Sequence, residues 1–107
     1  MGKEKREYPR QGMRLAVSYE TMDDFLIDYT SNVSLGGIFL ETEQTLPTDR
    51  PLQLQLQLPD GEVILAEGTI QWTSSEGVLP QGVGVHFTVL SVRNQRRIQR
   101  LIEDWEG

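Results

Sequence analysis

A chain of 107 residues amounts to one domain, long enough to bury a core without staples, and the absence of cysteine excludes disulfides, a thiolate nucleophile and a Cys-ligated metal. The formal net charge of -6 opposes general nucleic-acid binding, which draws its affinity from neutralising many phosphates with Lys and Arg. No apolar run is long enough to cross a bilayer, and the charged start Met1-Gly2-Lys3-Glu4-Lys5-Arg6 is followed by no signal-like apolar segment, so the expectation is a cytoplasmic protein without membrane insertion.

Residues 1–12 are polar and contain Pro9 and Gly12, and they read as a flexible arm that becomes ordered when something binds. Arg6 and Arg10 lie on it. Guanidinium groups are planar and permanently charged; they grip phosphate oxygens or a guanine edge in fork geometry and stack on the ring. Charge placement strengthens the point. Lys3, Lys5, Arg6, Arg10 and Arg14 crowd the start and Arg93, Arg96, Arg97 and Arg100 the end, while between Leu15 and Val92 Arg50 alone is basic, against eleven acidic residues. Such a layout suits a local anion site on an acidic body.

Met13 to Tyr19 alternates with the period of a half-buried strand. After the acidic turn Thr21–Asp24, Phe25, Ile27 and Tyr29 alternate with Leu26, Asp28 and Thr30 as a second strand that runs toward Asn32. Asn32-Val33-Ser34-Leu35-Gly36-Gly37 then offers a side-chain amide, a hydroxyl and paired glycines that permit positive φ, a bulge or close approach to a flat ligand, before Ile38-Phe39-Leu40 resumes β character. The plain alternative is a turn in which Asn32 and Ser34 bond local backbone; the two readings are compatible.

Leu52 to Leu58 places Leu at every second position, which predicts one buried face and one Gln face in solvent. Pro59-Asp60-Gly61 is a tight turn that joins it in a hairpin to Val63–Trp72, bent near Gly68. Trp72 shares the side of Ile64 and Ile70, which predicts core packing. A polar loop follows, then the strand Gly82–Val89, with Val83, Val85, Phe87 and Val89 on one face. His86, the only histidine, reads as a surface or rim residue, with a base-edge contact as the lesser option. Ser91 is a candidate N-cap for a helix over 91–105, in which Ile98, Leu101, Ile102 and Trp105 form one apolar stripe. Arg93, Arg96, Arg97 and Arg100 fall largely off that stripe and read as a solvated face, with an acidic partner as the alternative. Glu103, Asp104 and Glu106 stand where negative charge opposes the helix dipole. Strands followed by one helix make an all-β domain with a C-terminal α-helix, a small antiparallel barrel or sandwich against which the helix docks.

The RxxxR pair at Arg6 and Arg10, followed by (D/N)xSxxG at Asn32, Ser34 and Gly37, resembles the PilZ domain family, whose known members are mostly bacterial receptors for cyclic di-GMP. The runs Gly36–Thr42 and Gly82–Phe87 and the terminal helix also sit in family-like order. The resemblance implies a six-stranded antiparallel β-barrel over 13–107 and a sensor module of second-messenger signalling whose arm closes over the ligand. It implies that Arg6 and Arg10 engage phosphates and guanine edges, that Asn32 and Ser34 bond a base, and that Gly37 leaves room, with Lys5, Gly36 and Trp72 as further candidates. Because the family places the arginine pair before the first strand, Arg6 with Arg10 is preferred to the second RxxxR made by Arg10 and Arg14. In the family the residue just before the pair bears on whether one ligand or an intercalated pair binds; Lys5, a cation, favours the pair, while Glu7 stands where an arginine is frequent. A downstream protein partner is expected, and no cofactor. The alternative function is a PilZ-like adaptor that binds protein and no nucleotide, whose mark would be missing arginines. An enzyme is not expected, since no paired carboxylates, metal set or nucleophile constellation emerges.

Overall fold

The computed structural model describes residues 14–20, 25–30, 32–74, 77 and 79–106, with Trp105 and Glu106 described by backbone alone. The arm over 1–12, with Lys5, Arg6 and Arg10, lies outside the described residues. Among the described residues six strands and one helix follow in order: β1 (Leu15–Glu20), β2 (Phe25–Thr30), β3 (Gly37–Glu41), β4 (Leu52–Gln57), β5 (Val63–Thr73), β6 (Gly82–Val89) and α1 (Val92–Glu106). All strand pairs are antiparallel, and the order β1-β2-β3-β6-β5-β4 closes into a barrel as β4 returns to β1. Closure removes the edge that an alternating strand such as β4 would otherwise offer to another chain.

The period-2 pattern decides what the barrel encloses. Leu52, Leu54 and Leu56 point inward and are buried, with Gln53, Gln55 and Gln57 exposed between them. They meet Leu15 and Val17, Ile64, Ala66 and Ile70, Ile38 and Leu40, and Val83, Val85 and Phe87 in one apolar cluster. At the β4–β5 turn, the Gly61 N–H donates to the Leu58 carbonyl at 2.9 Å and Gly61 has a φ of 91°, a value that favours glycine. Val89, expected on the inner face of β6, is instead exposed: it still pairs with Glu67 of β5, but a register shift between Glu67 and Gly68 breaks the alternation after Phe87.

β2 buries the less apolar of its two sides. Phe25, Ile27 and Tyr29 stay outside, while Asp28 points toward Tyr19, whose hydroxyl donates to Asp28 Oδ2 at 2.7 Å and lies 3.3 Å from Thr42 Oγ1. Tyr19 is fully buried, and a buried phenol needs a partner, so the register that supplies a carboxylate prevails. α1 starts where the Ser91 hydroxyl accepts the Asn94 N–H at 3.1 Å, the expected N-cap. Ile98 and Leu101 join the barrel core, and Ile102 packs partly against it. Arg97 donates to Glu62 and to the Val63 carbonyl, and Asn94 to the Leu65 carbonyl, which pins the helix to the start of β5.

Candidate functional site

Between β2 and β3 the chain folds back tightly. Asn32 N–H donates to the Thr30 hydroxyl, and Phe39 N–H donates to the Asn32 carbonyl. Ser34 builds the tip: its Oγ accepts the Gly36 and Gly37 N–H groups, both at 3.2 Å, and donates to the Gly37 carbonyl at 3.3 Å. The hydroxyl is thus a turn-maker first, as the plain reading anticipates. Asn32 differs. Its backbone is engaged, but its exposed side-chain amide has no hydrogen-bond partner among the described residues.

Neither Gly36 nor Gly37 has a positive φ, so the glycine pair is not there for left-handed backbone. Gly37 is required by proximity: a Cβ on it would stand 1.9 Å from the Val85 carbonyl oxygen of β6. A Cβ on Gly36 would meet only Ser34 Oγ, at an ordinary 3.9 Å, and its carbonyl accepts the Phe87 N–H at 2.8 Å, carrying the β3–β6 ladder into the turn.

Trp72 corrects the expectation of core packing. A register shift between Ile70 and Trp72 in the β5–β6 ladder interrupts the alternation, and the indole emerges on the outer face, 53% exposed. There Phe39, Gly84 and Trp72 lie in one row across β3, β6 and β5. Gly84 is the empty place in that row; a Cβ on it would stand 2.3 Å from Trp72 Nε1. Through that gap Trp72 and Phe39 stack at 5.4 Å with planes 22° apart.

These pieces surround one open depression of about 310 Å³, lined by Asn32, Ser34, Gly36, Gly37, Gln71, Trp72 and His86 with Ile38, Phe39, Gly84 and Val85. It brings together Asn32, Ser34, Gly36 and Gly37 with Trp72, from two separated stretches of sequence, and His86 from a third. Chemically it offers an aromatic wall, an unengaged amide, an imidazole at the rim and approachable backbone, a set suited to a flat heterocycle with polar edges. Phe39, Gln71 and Gly84 belong to it unanticipated; a glycine inside the β6 pattern signals a close approach, but that the approaching groups are Phe39 and Trp72 is set by strand pairing. Arg14 does not line the depression. Its guanidinium sits 4.4 Å above the Tyr29 ring and 3.7 Å from Glu41 Oε1, engaged at the β2–β3 seam. Among the described residues no group of His, Cys, Asp or Glu is placed to hold a metal, and no helix is long and apolar enough to cross a membrane.

Comparison with known proteins agrees with this geometry. The family model of the PilZ domain matches residues 4–104. Among solved structures, the Bacillus subtilis inhibitor of motility (MotI/DgrA) superposes with a TM-score of 0.73 at 14% identity over 86% of this chain, which spans 46% of the length of that protein. The PilZ domain of YcgR from Escherichia coli, solved with c-di-GMP, superposes with a TM-score of 0.70 at 20% identity, covering 87% of this chain and 82% of that one. The PilZ domain of CeSA from a cellulose-synthesizing bacterium gives 0.59 at 18% identity, covering 89% and 95%. Among curated proteins none matches. At these identities the structural likeness speaks for the fold, and the family match for the family.

Proposed function

The chain belongs to the PilZ domain family, and from that premise we propose that it is a cyclic di-GMP-binding sensor module in which residues 1–12 close over the ligand in the depression beside Asn32 and Trp72. The observation that carries this reading is the convergence, on one open surface, of the (D/N)xSxxG turn with an unengaged Asn32 amide and the Trp72 and Phe39 rings. A guanine fits such a place because its face stacks on indole while its edge meets the amide. The described residues lining the depression carry no arginine or lysine. A dianionic ligand bound there therefore needs cations from elsewhere in the chain, and Arg6 and Arg10, with Lys5 beside them, are the ones whose motif precedes β1 at family-like spacing. Arg14, held at Tyr29 and Glu41, is not a substitute for either.

Calorimetric titration with cyclic di-GMP tests this. The unaltered chain is expected to bind, and Arg6→Ala and Arg10→Ala are each expected to lose roughly 1.5 to 3 kcal/mol, about one to two decades of affinity. The stoichiometry of the same titration distinguishes one bound molecule from the pair that Lys5 favours. No heat from the unaltered chain would favour the adaptor that binds protein without nucleotide.

A further inference from the structure

A charged feature of the molecule takes no part in the ligand reading. Arg93, Arg96 and Arg100 stand at i, i+3 and i+7 on α1 and so share one stripe of its surface, roughly 10 Å long at the rise of an α-helix. All three are exposed, and none has an ion-pair or hydrogen-bond partner among the described residues. Arg97, which lies between them, is the exception, bound to Glu62 and the Val63 carbonyl. A concavity of about 460 Å³ runs along the stripe, lined by Val92 and the four arginines, and Val92 is 62% exposed at its edge.

Helix stability gives no reason for this arrangement. The first turn has no acidic residue and the last no basic one, cations near the N-terminus and acids near the C-terminus both oppose the dipole, and like charges three and four apart repel. Solubility gives none either, since a net charge of -6 already serves it. We propose that this face of α1 docks an acidic segment of a partner protein, with carboxylates meeting the guanidinium forks of Arg93, Arg96 and Arg100 and an apolar side chain resting on Val92. Fork geometry matches a carboxylate, and Val92 gives an apolar foothold that a polyphosphate backbone would leave unused. Three cations over two helical turns on an acidic body are too few for a nucleic-acid track. No residue of this face lines the depression at Asn32 and Trp72, so the inference stands apart from the ligand reading.

The test uses the full chain and a fluorescein-labelled helical peptide with glutamates spaced three and four apart beside one leucine. Its controls are the same peptide with glutamine for each glutamate, an oligothymidine, and vesicles of phosphatidylglycerol. The glutamate peptide is expected to bind and to weaken with salt, the glutamine peptide to fail, and the combined Arg93→Gln, Arg96→Gln, Arg100→Gln variant to lose affinity by on the order of tenfold. Arg97 is left in place because it ties α1 to β5; circular dichroism and the single Arg96→Gln variant guard against a folding artefact. Cyclic di-GMP titration of the same variant should be unchanged. Equal binding by the triple variant, absence of binding by the glutamate peptide, or tighter capture of oligothymidine or vesicles would each overturn the proposal.

Discussion

Asn32 and Ser34 belong to one motif but do different work. Ser34 closes the turn through three hydrogen bonds with Gly36 and Gly37, whereas the Asn32 amide faces the depression with no local partner among the described residues. Alanine at the two positions should therefore separate stability from binding. Ser34→Ala removes the acceptor of two backbone N–H groups and is expected to cost about 1 kcal/mol, read as a lower urea midpoint. Asn32→Ala is expected to leave that midpoint within about 0.5 kcal/mol while weakening cyclic di-GMP by about 0.5 to 1.5 kcal/mol in calorimetry. Equal losses of stability in the two variants would show that Asn32 is a turn residue like its neighbour.

At the scale of the element, β5 carries the instructive departure. Its even-numbered residues are buried from Ile64 through Ile70, and then the register shift turns Trp72 outward over Gly84. The bare Cα of Gly84 is what lets two rings on strands that are not neighbours touch across β6. In a Trp105→Phe background, Gly84→Ala is expected to lift the indole, shift Trp72 emission to the red, and cost roughly 1 to 3 kcal/mol as an overpacked site. The far-ultraviolet dichroism of the barrel should persist, because the clash is with a side chain that can swing into solvent. An unchanged emission spectrum would mean that the indole does not rest on Gly84.

At the scale of the whole barrel, the buried group among the described residues that links stability to pH is Tyr19, which ties β1 to Asp28 of β2 and to Thr42 just past β3. Burial above all pushes its phenol from 10.0 up to about 12; the Thr42 hydrogen bond acts the other way, and Asp28 adds to the rise through its hydrogen bond and its charge. The unfolded phenol releases its proton at lower pH than the folded one. Its contribution is therefore complete below pH 10.0 and is lost as pH rises toward about 12. Denaturant midpoints measured across that window should fall in the parent and fall less steeply in Tyr19→Phe, by up to about 1.4 kcal/mol per pH unit, the effect of one proton. Parallel alkaline limbs would rule Tyr19 out. The same substitution should lower stability at neutral pH, since it leaves Asp28 without its donor.

The six described strands and α1 were legible in the sequence, because period-2 alternation and the apolar stripe of α1 are local patterns and the leucines of β4 have one way to be buried. The composition of the Asn32–Gly37 turn and the cap at Ser91 were legible for the same reason. Where alternation is broken by pairing, local pattern could not decide. Trp72 reads as core until the register shift against β6 carries it outside, and the glycines read as turn-formers until β6 shows Gly37 pressed against the Val85 carbonyl. The inward choice of β2 followed from a phenol nine residues earlier that needed a partner, and the gathering of Asn32, Trp72 and His86 into one depression came from strand order, which no single stretch of the chain contains.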